Sequence, residues 1–354
     1  MEKSLIILNK KNIKIADKLR YNGIDIIKGI ACFSVTYIHN SFPGKIGLYI
    51  QVLNRFAVPF FFFVSGYFFL NTNLEITNNR IINKIKHILL LIRKSVIFYF
   101  LFFICNLLNS KDINIKKISK KLLTKKNIIS FIMFNRPFKY LHLWFLLALL
   151  YCYLFMLLMN SINRNIIINN IFEVFFIFFG FLGYHLLKEF GNIKFIKKFK
   201  SDIKLDISTF FMFRAFPFFL IGVFLKKTKI KQNTSILLLF IRGSFLACLE
   251  MYLFKQSLNS YIGTYFQLIS LISFSLKEIK NTNKAFTFLS YVGRNLSDKI
   301  YIYHNAIGKT IKLISNKIGF INQLWFSYGR FILVLSSTLV FSFLLHKLKG
   351  IKIL

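Results

Sequence analysis

Apolar runs of about 18 to 25 residues, long enough to cross a bilayer as helices, recur along the whole chain between stretches rich in Lys and Asn. They fall near residues 24–41, 47–70, 88–108, 140–159, 166–187, 208–225, 235–254, 258–276, 285–309 and 323–346. The expected architecture is therefore all-α and polytopic, with about ten transmembrane spans. Arg242, Glu250, Arg294 and Asp298 interrupt the seventh to ninth runs, and the connection at Lys255 is very short. A basic N-terminus over 1–20 precedes one integral membrane domain over 21–350, and no soluble stretch is long enough for a second domain. No internal repeat stands out, so the paired halves of many transporters are not visible.

The first run breaks the apolar pattern in an ordered way, with Asp25, Lys28 and His39. A helix turns about 100° and rises ~1.5 Å per residue, so the steps from Lys28 to His39 make three turns plus roughly 20° over about 16 Å. Asp25 lies one turn before Lys28, within about 40° of the same line. One polar stripe thus runs along an apolar helix. Ionisable groups in a span cost at least ~2.5 kcal/mol each on insertion scales and usually face a protein interior or a wet cavity. Snorkelling to the membrane boundary is the competing explanation for Asp25 and Lys28, but it does not account for a face shared with His39.

Composition supports the membrane reading: 55% of the residues are hydrophobic and 46 are Phe, more than a soluble core of this size needs. Six basic residues, Lys3, Lys10, Lys11, Lys14, Lys18 and Arg20, precede the first run, against Lys45 alone in the loop after it. That asymmetry puts the N-terminus in the cytoplasm and His39 in the outer half of the bilayer. Leu5 to Leu8 is too short for a signal-peptide core, so no cleaved leader is expected. The formal charge of +37 would suggest nucleic acid in a soluble protein. Here Lys outnumbers Arg 39 to 10 beside abundant Asn, Ile and Phe, the mark of AT-rich coding, and no nucleic-acid partner is expected. Inner loops could still set this charge against anionic lipid or a phosphorylated cosubstrate. Because Arg is scarce, Arg55, Arg214 and Arg242 inside apolar runs stand out, with interhelical pairing as the alternative to a functional role. Cys32, Cys105, Cys152 and Cys248 lack metal-ligand or CxxC spacing and read as small apolar fillers, so no metal is expected.

Five blocks carry more specific information. The first run reads Gly23-Ile-Asp25-Ile-Ile-Lys28-Gly-Ile-Ala and then His39; the second reads Asn54-Arg55-Phe-Ala-Val-Pro59-Phe-Phe-Phe-Phe-Val-Ser65-Gly66-Tyr67. His142-Leu-Trp144-Phe145-Leu, Arg214-Ala-Phe-Pro217-Phe-Phe-Leu-Ile-Gly222, and Leu296-Ser297 with Tyr301-Ile-Tyr303-His304 follow in order. In this order the chain resembles acyltransferase family 3, integral membrane proteins that O-acylate cell-surface polysaccharides, peptidoglycan, lipopolysaccharide and some small molecules. Lys28 stands where the family more often has Arg, ten residues before the histidine. The family's arginine pair in the loop after the second helix is not matched: Arg80-Ile-Ile-Asn83-Lys84-Ile-Lys86-His87 supplies cations but no second Arg at that spacing. Many members also carry an extra hydrolase-like domain, which this sequence does not show.

The resemblance implies an acyl donor of the acetyl-CoA type on the cytoplasmic side and a hydroxyl acceptor on a surface glycan or lipid-linked glycan, in a bacterial inner membrane. Residue chemistry fits these roles. A neutral imidazole at His39 can take the acceptor's proton or carry the acyl group transiently, and His39 is the expected catalytic residue. Lys28 can pair with CoA phosphates and Asp25 can hold it in place, while Arg55 either adds a donor-end cation or steadies negative charge on the acyl oxygen. Ser65 and Tyr67 flank Gly66; Ser65 has no GxSxG elbow, and small residues that let helices approach are the alternative reading. Pro59 is expected to open its helix. Trp144 either anchors at the interface beside His142 or lines the acceptor entrance. Arg214, Tyr301 and His304 are assigned supporting roles, and His87, His185 and His346 read as boundary residues. The rival reading is a transporter or flippase of a lipid-linked sugar. Acceptor sugar, acyl length and oligomeric state leave no trace in the sequence.

Overall fold

The computed structural model describes residues 22–69, 74–108, 141–162, 170–189, 210–228, 235–254, 260–277 and 283–350. The basic N-terminus over 1–20 lies outside these residues. Each of the ten apolar runs is mostly helical within the described part, and no strand occurs among the described residues. Among the described residues, five helical segments are long and apolar enough to cross a membrane: Gly44–Tyr67, Asn78–Cys105, Trp144–Ile162, Ile236–Phe254 and Leu324–Leu348. These criteria therefore support five spans and do not confirm ten; Asn170–His185 and Ile262–Ser275 are apolar but shorter.

Helix α1 (Asn22–His39) is the axis of the bundle. It packs against α3 (Ala57–Tyr67), α10 (Ile262–Ser275), α11 (Lys284–Tyr291), α12 (Ser297–Ile318) and α13 (Leu324–Gly350). Enclosure on all sides explains how a helix carrying Asp25, Lys28 and His39 is tolerated, since its polar groups meet protein instead of lipid. The closest approach is made by small residues: a Cβ at Gly29 would strike the Leu289 carbonyl oxygen, and one at Gly293 the Asp25 carbonyl oxygen. The remaining helices are α2 (Gly44–Leu53), α4 (Leu74–Leu108), α5 (Trp144–Ile162), α6 (Asn170–Glu189), α7 (Phe211–Arg214), α8 (Phe216–Thr228) and α9 (Ile236–Phe254).

Four local features depart from the sequence expectations. The second run breaks at Asn54 to Phe56, upstream of Pro59, because a proline ring collides with the carbonyl four residues earlier, here that of Arg55. Pro59 itself sits in the first turn of α3, where its missing N–H costs nothing. The sixth run is divided in the same manner, with Arg214 closing α7 just before Pro217 in the first turn of α8. The stretch Arg80 to His87, expected as a loop, is helical and belongs to α4. Finally, the ninth run is not one helix: a π-helical turn over Val292–Leu296 separates α11 from α12. Such turns widen the helix locally and frequently accompany functional sites.

Candidate active site

Two cavities open on either side of the middle of α1. The larger, about 550 Å³, is lined by Asp25 and Lys28 of α1, Ser65 of α3, Lys84 and His87 of α4, and Asp298 and Tyr301 of α12. The contribution of α4 comes from helical spacing: Lys84, His87, Ile88 and Leu91 fall at i, i+3, i+4 and i+7, one face of the helix. His87 is thus a cavity residue, contrary to its expected place at a span boundary. Asp25 forms its ion pair across the bundle with Arg294 of the π turn, Nε to Oδ2 at 3.0 Å, and Arg294 also reaches Asn22 Oδ1 at 3.4 Å. The expected partner one turn away, Lys28, has its side chain beside the same cavity.

The smaller cavity, about 230 Å³, is lined by His39 and Arg55 with His142, Trp144 and Arg214. Arg55 and Arg214, each at a helix break ahead of a proline, both line this cavity. Arg214 stacks over the Trp144 ring at 3.9 Å, a cation–π contact that fixes both side chains. Trp144 is accordingly a cavity wall. Arg55 Nε is buried and makes no hydrogen bond among the described residues, leaving a donor available to a guest. Of its two expected roles, this placement beside His39 suits stabilising charge on an acyl oxygen better than adding a cation next to Lys28.

His39 is accessible, while His142 and His304 behind it are buried. The three rings form a triangle, with centres 5.1 Å apart for His39 and His304, 6.2 Å for His39 and His142, and 5.6 Å for His142 and His304. Asn305 Nδ2 donates to His142 Nδ1 at 2.9 Å, and the Tyr301 hydroxyl donates to the His142 carbonyl oxygen. Tyr301 therefore ties α12 to the turn before α5 while also lining the larger cavity. Phe61, Phe145 and Tyr301 form an aromatic cluster on the wall of the larger cavity, with ring centres 6.1 Å and 5.4 Å apart in succession.

Ser65 lines the larger cavity, but its hydroxyl donates back to the Phe61 carbonyl at 2.9 Å, the behaviour of a helix-embedded serine. Tyr67 lines neither cavity; it packs on Phe63 and under the Lys226 ammonium, 4.9 Å from the ring centre. Gly66 supplies the close approach: a Cβ there would strike the Phe219 carbonyl oxygen, and one at Gly222 the Phe63 carbonyl oxygen. Sequence reasoning missed Lys84, His87 and Arg294 as site residues and gave His142 only an interfacial role. The tyrosine and asparagine that fix His142, Tyr301 and Asn305, straddle His304 in the late motif, a signal visible only once α5 and α12 are adjacent.

Compared with known families, residues 21–347 match the family model described as an acyltransferase domain, nearly the whole chain. No curated protein and no solved structure matches the chain.

Proposed function

The chain belongs to acyltransferase family 3, and on that premise we propose that it is a membrane-bound O-acyltransferase. It moves an acyl group, acetyl in the first instance, from acyl-CoA to a hydroxyl of a cell-surface polysaccharide or lipid-linked glycan, in a bacterial cytoplasmic membrane with its N-terminus inside. The observation that carries this reading is the division of α1 between two cavities, Lys28 in one and His39 in the other.

Lys28 and Lys84 offer two cations to a donor's phosphates, and the apolar walls around Phe61, Leu146 and Leu149 suit its acyl end. Asp25, neutralised by Arg294, shapes this end without repelling the donor. On the other side His39 meets the acceptor. The hydroxyl oxygen attacks the thioester carbonyl as His39 takes its proton; the C–O bond forms, the C–S bond breaks, and the thiolate leaves and recovers the proton from the imidazolium. Arg55 lies where it can donate to the oxygen that gains charge. Trp144 and Arg214 give a sugar a ring face and a hydrogen-bond donor at the same cavity.

The test supplies radiolabelled acetyl-CoA to membranes containing the protein and counts alkali-labile label in the glycan and lipid-linked glycan fractions. Label dependent on the protein supports O-acyl transfer. Its absence from folded protein with acetyl, propionyl and longer donors would overturn the reading in favour of a transporter or flippase.

A further inference from the structure

The mechanism above leaves His304 unused, and its environment is the most constrained in the site. The side chain is fully buried. Its Nδ1 lies 2.8 Å from the carbonyl oxygen of Ile300, one helical turn earlier. A carbonyl only accepts, so Nδ1 carries the proton and Nε2 is left as a bare lone pair. That Nε2 is buried and makes no hydrogen bond among the described residues. A buried acceptor without a donor is costly, which calls for a partner supplied in the working state.

The ring closest to it is the one that faces the cavity. His39 and His304 are 5.1 Å apart centre to centre, with planes inclined at 42°. Two imidazoles joined by one N–H···N bond of about 3 Å, each nitrogen about 1.1 Å from its ring centre, stand roughly 5.2 Å apart. His142 is farther from His304, at 5.6 Å, and more steeply inclined, at 79°. Resting on the acyltransferase reading, we propose that His304 is the positioning residue of His39: its Nε2 accepts the His39 N–H. The other His39 nitrogen is thereby left as the lone pair that faces the acceptor hydroxyl. The arrangement does for His39 what a buried carboxylate does in a catalytic triad, but with a neutral acceptor, so no charge is placed in the membrane interior. The backbone of α12 sets the tautomer of His304, and His304 sets the tautomer of His39.

Two variants separate this role from packing. Phe in His304→Phe fills the same space and removes both nitrogens; Gln in His304→Gln keeps an acceptor at the end of the side chain. The first readout does not need transferase activity: purified protein is treated with diethyl pyrocarbonate, and modification of each histidine-containing peptide is followed by mass spectrometry, with His346 as internal reference. His39 is expected to react at close to the wild-type rate in His304→Gln and far more slowly in His304→Phe, with His346 unchanged in both. The second readout is transfer itself. The turnover number should fall about 10- to 100-fold in His304→Phe, as for loss of other histidine-orienting partners, with donor KM unchanged and substantial rescue by Gln. Wild-type His39 reactivity in folded His304→Phe would overturn the proposal, as would a change confined to His142 or a loss in Gln equal to that in Phe. If the wild type transfers no acyl group at all, the functional reading fails while the reactivity series still decides whether His304 orients His39.

Discussion

Glu250 shows how a single residue out of keeping with its surroundings is accounted for by what it meets. It lies within the apolar helix α9, and its two carboxylate oxygens accept the N–H groups of Ile262 and Gly263 at 2.9 and 2.8 Å, capping the first turn of α10. A helix N-terminus carries partial positive charge and free donors, so a buried carboxylate is stable there. Glu250→Ala strands both donors and is expected to lower stability by about 1–3 kcal/mol, and Glu250→Gln by less, as read from thermal unfolding in detergent. Equal melting of Glu250→Ala and wild type would refute this cap. The stripe of Asp25, Lys28 and His39 was legible from spacing alone, because one helix fixes all three. The partner of Asp25 was not, since Arg294 lies 269 residues away and only the packing of α1 against the π turn joins them.

At the scale of elements, the apolar runs foretold where helices lie, and Pro59 foretold an opening in the second, but the break falls upstream of the proline at Asn54 to Phe56. Proline gives the reason for the breaks, and Arg55 ahead of Pro59 and Arg214 ahead of Pro217 line one cavity. The family resemblance places Arg80 to His87 in a loop after the second helix; in the structure those residues belong to the first half of α4, with Lys84 on the cavity wall. The aromatic cluster on the larger cavity's wall is likewise invisible in sequence, since Phe61, Phe145 and Tyr301 come from three helices amid 46 phenylalanines. On the proposed function it bounds the space open to the donor's acyl group. Phe145→Ala is expected to raise the rate with butyryl-CoA relative to acetyl-CoA by severalfold, measured as the ratio of initial transfer rates. An unchanged ratio would mean the acyl group takes another route.

For the molecule as a whole, enclosure of α1 turns a helix too polar for a lipid-facing span into the core of the bundle. Helix α12 runs parallel to α1, with Gly293 beside Asp25 and Gly308 beside Asn40, so its last turns to Ile318 project beyond His39. The proposed orientation, N-terminus inside, puts Lys317 at that end outside. In intact cells a membrane-impermeant maleimide should label Lys317→Cys, in a background with Cys105 replaced by Ser, and reach Lys84→Cys only after permeabilisation. The opposite pattern would invert the orientation and place the donor cavity on the outer face.

The most direct measurement compares acyl transfer from labelled acetyl-CoA by wild type and His39→Ala in membranes at matched expression, with donor affinity determined on both. The account predicts that transfer falls by about 10²- to 10⁴-fold in His39→Ala, the usual worth of a positioned base, while donor binding, which depends on the cavity around Lys28, is retained. Equal transfer by the two proteins would contradict it and remove His39 from the chemistry.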